Sequence, residues 1–193
     1  MRAFRERFLW PTLVSLAIVL AYCNHFNNDF QFDDGHAVVD NPAIRHLGNI
    51  PRMFWDGRML TPLMVNQAYR PLQAVTLTLD YAISGGLNPF FFHLSTFLIF
   101  LAQIFAVAKL FNKITGSLRQ AWLGAALYGL HPVAAQTVNY VCQRAKVYVA
   151  LFLTLAMWAY ISRRIRLAIG CFVLACLSKQ NGIVFPGLVI AYE

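Results

Sequence analysis

The chain has 193 residues, of which 59% are hydrophobic and only 12% are charged, and its mean hydropathy is +0.54. Soluble domains carry about 25% charged residues, so this composition excludes a cytosolic enzyme, a nucleic-acid-binding domain and a disordered chain. The net charge of +8 does not indicate a nucleic-acid partner, because the basic residues lie between long apolar runs, as in membrane proteins. We therefore expect an integral membrane protein.

The first apolar run predicts a membrane span at the N-terminus. Residues 8–28 contain no charged side chain and follow three arginines, and about 20 apolar residues suffice to cross a bilayer. A cleaved signal peptide is the alternative. It is disfavoured because the run is long, contains Trp10 and Pro11, and lacks a small-x-small cleavage site. We predict a retained first span over 1–23, with the N-terminus in the cytoplasm.

Two basic clusters orient the rest of the chain. When both are placed on the cytoplasmic side, residues 24–88 form a long external loop and residues 89–193 supply the further spans. The predicted fold is all-α: a polytopic membrane helix bundle of about five or six spans, whose first external loop carries amphipathic juxtamembrane helices. The clusters are Lys109/Lys113/Arg119 and Arg163/Arg164/Arg166, and the later helices are expected at 89–111, 118–131, 137–161 and 166–178, with another beginning near 183.

This topology requires that residues 72–84 not cross the membrane. The segment is moderately apolar, contains Asp80 and precedes Gly85-Gly86, which is typical of an amphipathic helix on a membrane surface. The alternative is a true span, which would place Lys113 and Arg119 outside.

Candidate catalytic residues lie in the first external loop. Six of the eight acids fall between Asp29 and Asp80, and Asp33 and Asp34 are adjacent. Neighbouring carboxylates repel, which raises the pKa of one of them and suits a general base. A solvated polar loop and a metal site of Asp33, Asp34 and His36 are the alternatives. The sequence does not say which aspartate would be the base.

Three cations fall on the same external side in this topology: Arg70, Arg144 and Lys179. Arg70 precedes Pro71, a residue that suits a first helical turn, and a helix N-terminus favours anions. Each cation has a plainer interpretation as an interfacial side chain or bilayer anchor. Carboxylates beside several cations at headgroup level suit the transfer of a group from a lipid phosphate to a hydroxyl.

Two further histidines are accessory candidates. His93 has a plainer interpretation as an interface histidine, and His131, before Pro132, as part of a helix-ending turn. The four cysteines show no CxxC or Cys/His spacing. We therefore assign no metal ligands, although the acidic loop could bind a divalent cation.

The ordered motifs resemble the GT-C superfamily of integral-membrane glycosyltransferases, and within it the tetratricopeptide-repeat-containing O-mannosyltransferases and their bacterial relatives. Ser178-Lys179 with Pro186 also resembles a Thr-Lys…Pro motif of the aminoarabinose transferase. The later membrane helices and the repeat domain of the family are not in this sequence, which predicts a truncated chain, and Gln180 stands where relatives often have Glu. The matching residues are Phe32–Asp34, Asn41-Pro42, Arg70–Leu72, Leu79–Tyr81, Asn88-Pro89, His93, His131-Pro132, Val138, Tyr140, Gln143-Arg144 and Ser178-Lys179.

The resemblance implies a specific chemistry. One of Asp33 and Asp34 would deprotonate an acceptor hydroxyl, while Arg70, Arg144 and Lys179 would hold the phosphate of a polyprenyl-phosphate-linked sugar. The acceptor would be a protein Ser/Thr hydroxyl on the external or periplasmic face of the membrane, which we expect to be a bacterial inner membrane. Transfer to a lipid or cell-wall glycan is the alternative within enzymes. A non-catalytic membrane subunit or transporter is the alternative of another class.

Overall fold

The computed structural model describes the backbone of residues 2–193 and the side chains of residues 8–193. Over this part of the chain the α-helices are joined by short 3₁₀ and irregular segments, with no β-strand. The predicted all-α class is therefore confirmed. The α-helices are α1 (Arg2–Ala21), α2 (Ile50–Met53), α3 (Pro71–Ser84), α4 (Pro89–Thr115), α5 (Leu118–Gly129), α6 (Pro132–Val138), α7 (Arg144–Ile161), α8 (Ile165–Ser178) and α9 (Phe185–Tyr192).

Local sequence signals set the ends of the central helices. The Asn88 side chain accepts a hydrogen bond from the amide two residues on, and Pro89 is the first residue of α4. Pro71 likewise begins α3. Both helices end where glycine adopts a left-handed backbone, at Gly85 (φ 70°) and Gly116 (φ 68°). Such caps satisfy terminal backbone groups and explain why these boundaries lie close to those expected from the sequence.

Helix α4 is the centre of the bundle. It packs against α5 and α7, while α8 packs along α7 and α1 lies against α5. Full burial of one large apolar side chain contributes about 1.5–3 kcal/mol, so this interface holds the bundle together. Its buried residues include Ile18, Phe97, Phe100, Ile104, Trp122 and Val147.

The segment between α1 and α4 is compact. Val38, Ile44, Met53, Leu77 and Phe92 are at most 1% exposed and form a second core. This core joins the loop to α3 and to the first turn of α4. The helix predicted at 72–84 is present as α3. The loop between α1 and α4 is therefore a packed layer of short helices, which we call the loop layer.

Two described helical segments are long and apolar enough to cross a membrane: Pro89–Thr115 and Val141–Ile161. The apolar stretches Phe8–Ala21 and Ile165–Ser178 are shorter. At 1.5 Å per residue a 14-residue helix such as α8 spans about 21 Å, less than the roughly 30 Å of bilayer hydrocarbon. The expectation of five or six spans is therefore not confirmed.

The helix predicted over 137–161 is broken, which corrects the expected position of Arg144. Helix α6 ends at Val138, a turn follows, and α7 begins at Arg144 itself. The turn is held from outside: Asp34 Oδ1 accepts a bond from the Cys142 amide (2.7 Å), and Gln73 Nε2 donates to the Cys142 carbonyl (2.9 Å). These bonds satisfy backbone groups that a continuous helix would pair internally. Arg144 is therefore the first residue of α7, and does not lie one turn inside a longer helix as expected.

Candidate functional site

A polar pocket of about 390 Å³ lies between the loop layer and the starts of α3 and α7. Its lining includes four predicted site residues: Asp33, His36, Arg70 and Lys179. Lys146, in the first turn of α7, joins them. Residues up to 146 positions apart in sequence thus meet at one place, among them three of the five residues expected together on the external side: Asp33, Arg70 and Lys179.

The two adjacent aspartates have different environments. The side chain of Asp33 is 59% exposed, and its Oδ1 lies 3.6 Å from His36 Nε2. Asp34 is 0% exposed, and its carboxylate accepts bonds from the Cys142 amide (2.7 Å) and the Gln31 amide (3.2 Å). Burial raises the pKa of Asp34, an effect that these hydrogen bonds oppose. Asp33 is free to meet a ligand, whereas Asp34 ties two loops together.

The backbone of Asp33 is held on both sides. Its amide donates a hydrogen bond to Tyr140 Oη (2.6 Å), and Cys142 Sγ donates to its carbonyl (3.6 Å). The preceding residue, Phe32, has a φ of 50°, in the left-handed region that non-glycine residues seldom adopt. Such conformations persist only where surrounding contacts impose them. The Asp33 carboxylate is therefore presented to the pocket by a constrained backbone.

His36 is hydrogen-bonded at both ring nitrogens. Nδ1 lies 2.9 Å from Thr61 Oγ1, and Asn66 Nδ2 lies 2.9 Å from Nε2. With Asn66 Nδ2 as the donor, Nε2 is the acceptor and Nδ1 carries the proton. These bonds hold the imidazole ring beside the Asp33 carboxylate.

The pocket cations have no carboxylate partner. Among the described residues no ion pair involves Arg70, Lys146 or Lys179, and the buried Nε of Arg70 has no hydrogen-bond partner. Burial lowers the pKa of Lys179, as do the nearby charges of Arg70 and Lys146. Like charges repel when they are brought together without an anion. This arrangement is therefore suited to receiving one.

Local structure explains how these cations converge. Arg70 is the residue before α3, and Lys146 lies in the first turn of α7, so two helix N-termini begin at the pocket and add partial positive charge. Lys179 follows the last residue of α8. There the chain folds back on the helix: a Cβ at Gly182 would lie 2.5 Å from the carbonyl carbon of Ala175, so glycine is needed.

Arg144 does not line the pocket. Its side chain is 0% exposed, Nη1 lies 2.5 Å from Asp80 Oδ2, and Nη2 donates to the Phe92 carbonyl (2.8 Å). A fully buried, paired guanidinium joins α7 to α3 and α4. We therefore leave Arg144 out of the candidate phosphate ligands, a correction to its expected position. The sequence spacing of the two cations agrees with this result. Arg144 and Lys146 are two residues apart, and residues i and i+2 of a helix do not share a face, so Lys146 lines the pocket and Arg144 does not.

The two remaining accessory histidines lie elsewhere. His93 is fully buried, its ring centre is 4.6 Å from that of His25, and neither ring nitrogen has a hydrogen-bond partner. His131 caps α6 by accepting a bond from the Val133 amide (3.2 Å) and lines other cavities. Neither is brought to the pocket.

The alternative metal set does not assemble. The carboxylate of Asp34 is occupied by two amides, so Asp33, Asp34 and His36 do not converge. Among the side chains of residues 8–193 no group of three His, Cys, Asp or Glu residues is placed to hold a metal ion.

An apolar cavity of about 440 Å³ adjoins the polar pocket, and Lys146 lines both. Its walls come from α4, α5, α6 and α7, and include Phe100, Leu127, Val133, Val147 and Ala150. A ligand with an anionic head and an apolar tail matches these two cavities, because the head would meet the cations of the polar pocket and the tail would meet the apolar walls.

The fold and site thus define a class: an all-helical protein with apolar helices of membrane-spanning length and a cation-lined polar pocket beside an apolar one. The chain is related in sequence to the TMTC protein O-mannosyl-transferases. It is 29% identical to human Protein O-mannosyl-transferase TMTC4, over 95% of this chain and 29% of that protein. The mouse Protein O-mannosyl-transferase TMTC2 is 30% identical over 77% of this chain and 18% of that protein.

A nematode relative, Protein O-mannosyl-transferase F38B6.6 of Caenorhabditis elegans, is 25% identical over 94% of this chain and 27% of its own length. The chain therefore spans less than a third of each of these relatives. No protein-family model matches it, and no solved structure matches significantly.

Proposed function

We propose that this chain forms the donor-phosphate and base site of a membrane glycosyltransferase that moves mannose from a polyprenyl-phosphate carrier to a protein Ser/Thr hydroxyl. One observation carries the proposal: three cations without carboxylate partners surround the pocket that holds Asp33. The names of the related proteins support the transferase class, the mannosyl group and the protein acceptor.

The pocket can perform the two halves of an inverting transfer. Asp33 takes the proton of the acceptor hydroxyl, whose oxygen attacks the anomeric carbon as the bond from that carbon to the phosphate oxygen breaks. The electron pair leaves with the carrier phosphate. Arg70, Lys146 and Lys179 stabilise the charge that develops there through charge-assisted hydrogen bonds, which are strong where water is scarce.

The apolar cavity supports a lipid-linked donor. Its position next to the cations, with Lys146 shared, leaves room for the first prenyl units beside the phosphate. The pocket would then face the same side of the membrane as the loop layer, which we place externally because the opposite end of the bundle carries the basic clusters. That this membrane is a bacterial inner membrane is a prediction from the sequence resemblance.

Binding of polyprenyl monophosphate, without a sugar, tests the phosphate site on the purified chain. Arg70→Ala removes a charge-assisted contact of about 1.5–3 kcal/mol, so the dissociation constant should rise about 10- to 150-fold. Arg70→Lys should recover only part of the loss, because the forked guanidinium binds phosphate in a bidentate way. The matched control is Arg52→Ala, which removes an exposed arginine that pairs with Asp56 outside the pocket. Equal affinities of Arg70→Ala and wild-type protein would overturn the assignment.

A transfer assay tests the acceptor. Membranes containing the whole protein are supplied with polyprenyl-phosphate mannose and offered either a Ser/Thr-rich polypeptide or a lipid-linked glycan. We expect mannosylated polypeptide. Transfer to the glycan alone would overturn the protein acceptor, and transfer to neither, with carrier binding intact, would favour a non-catalytic subunit.

A further inference from the structure

The end of the bundle opposite the pocket carries a second group of cations. Lys109 and Lys113 lie near the end of α4, and Arg119 lies in the first turn of α5. Arg163 and Arg164 lie between α7 and α8, and Arg166 lies in the first turn of α8. All six are exposed, and no ion pair among the described residues includes any of them. We call these six residues the basic end.

Two of these cations are positioned by a tryptophan. Lys109 Nζ lies 3.6 Å from the centre of the Trp158 ring, and the Arg164 guanidinium lies 5.3 Å from the same ring. The carboxylate of Glu193, at this end too, accepts a hydrogen bond from Tyr160 (2.8 Å) and pairs with neither cation. A cation held on an aromatic face is fixed in place while its charge stays available to an anion.

An apolar groove of about 510 Å³ runs from Lys109 toward the middle of the bundle. Helices α4, α5 and α7 form it, and Lys109 with Asn112 lies at one end of an otherwise apolar lining. Phe105 packs edge-on against Trp122 in its wall, with ring centres 5.0 Å apart. The apolar residues are Ala102, Phe105, Ala106, Ala108, Leu118, Trp122, Leu151 and Leu155.

We infer that this groove is a binding site for an anionic phospholipid of the surrounding membrane, distinct from the carrier site. The phosphodiester would be held at Lys109, with Asn112 and Arg164 beside it, and an acyl chain would lie along the apolar walls. Charge complementarity selects this occupant: the groove combines chain-sized apolar surface with unpaired cations, and basic pockets between membrane helices bind acidic headgroups. A zwitterionic lipid fits the walls equally but offers less net charge.

The test measures quenching of tryptophan fluorescence by dibrominated phosphatidylglycerol in the purified chain, with dibrominated phosphatidylcholine as the matched lipid. Trp10→Phe and Trp55→Phe leave Trp122 and Trp158 as reporters. Measurements in 0.5 M NaCl suppress diffuse attraction, because the Debye length falls to a few ångströms. We expect phosphatidylglycerol to quench at lower mole fraction than phosphatidylcholine.

Two variants separate a built site from general surface charge. Lys109→Ala should reduce the preference for phosphatidylglycerol about fivefold, since one cation near a membrane surface contributes about 1 kcal/mol. Ala102→Phe fills the groove at an exposed position without changing charge, so it should abolish the preferential quenching while the variant still melts like the parent.

Three outcomes would overturn the inference. These are equal quenching by the two lipids, unchanged preference in Ala102→Phe, and displacement of the lipid by glycerol phosphate at equal concentration. The second outcome would indicate diffuse attraction to the basic end. The third would indicate a site for a free anion.

Discussion

The two ends of the helix bundle both gather cations, three at the pocket and six at the basic end, and build different sites from them. At the pocket, Arg70, Lys146 and Lys179 surround a cavity that also contains an exposed carboxylate and polar loop side chains. At the basic end, the cations are exposed around Trp158 and an apolar groove. Clustered charge alone therefore does not define chemistry. The two sites differ in the walls around the cations: polar side chains and the Asp33 carboxylate line the pocket, and apolar side chains line the groove at the basic end.

Helix α7 runs from the pocket to the basic end, and the cations at its two ends have different environments. Its first turn buries Arg144 against Asp80 and directs Lys146 into the pocket. Beyond its last turn lie Arg163 and Arg164, exposed and without an ion-pair partner in the described chain. A buried ion pair fixes one end, and no corresponding pair is seen at the other within residues 8–193.

The largest expected effect concerns Asp33, the proposed proton acceptor of the pocket. In the whole protein, Asp33→Asn should lower turnover by about 10²- to 10⁴-fold, the usual contribution of a general base. The affinity for polyprenyl phosphate should change little, because Asp33 does not hold the phosphate. Initial rates and binding are measured on the same preparation.

Asp34→Asn is the matched control for that experiment. Its carboxylate accepts two backbone hydrogen bonds, and an amide can accept at only one of its two terminal atoms. It should therefore lower thermal stability, by the roughly 1–3 kcal/mol of an unsatisfied buried group. A full loss of turnover in Asp34→Asn with unchanged stability, and normal turnover in Asp33→Asn, would exchange the two roles.

The second test concerns the buried pair behind the pocket. Arg144→Met leaves the Asp80 carboxylate buried without its partner, and breaking such a pair costs about 3–5 kcal/mol. Thermal unfolding in detergent should show a large loss. Arg144→Met with Asp80→Asn should regain part of it, while Arg164→Ala at the basic end should be close to neutral. A neutral Arg144→Met would mean that the pair does not support the pocket.

The smallest expected effect is a pH dependence of binding. Burial and two neighbouring cations lower the pKa of Lys179 from its ordinary 10.5. Phosphate binds the charged form, so affinity should be full below the lowered pKa and decline as pH rises through it. The decline is limited to the contribution of one charged contact, at most about 10- to 150-fold.

Lys179→Arg is the control for the pH series, because arginine stays protonated throughout. Titrating polyprenyl phosphate binding from pH 7 to 10.5 should give a flat profile in this variant and a declining one in the wild type. Parallel profiles would show that Lys179 does not contact the phosphate.

Much of the helical framework was predictable from the sequence. Apolar runs of helical length, Pro89 and Pro71 as first helical residues, and glycines at the helix ends mark α3 and α4 to within a few residues. The relation to the transferases was also predictable, because the short motifs occur in a fixed order. Helix capping and amphipathic patterns depend on residues close together in the chain, so helix positions can be predicted from the sequence.

The assignment of the site residues depended on distant contacts. Asp33 and Asp34 are chemically identical neighbours, and only the approach of Cys142 and Tyr140, more than 100 residues away, exposes one and buries the other. Arg144 and Lys146 are likewise both cations at the start of one helix. Asp80 and the Phe92 carbonyl bind the first, and the second is left to the pocket.

The sequence by itself determined which residue types were available: apolar helices, an acidic loop, and cations spaced along the chain. The tertiary structure decided which of them meet. A charge in a low-dielectric interior must find a partner or stay at a solvated surface. The folded neighbours of each ionisable group therefore separate structural charges such as Asp34 and Arg144 from the free ones at the pocket, Asp33, Arg70, Lys146 and Lys179.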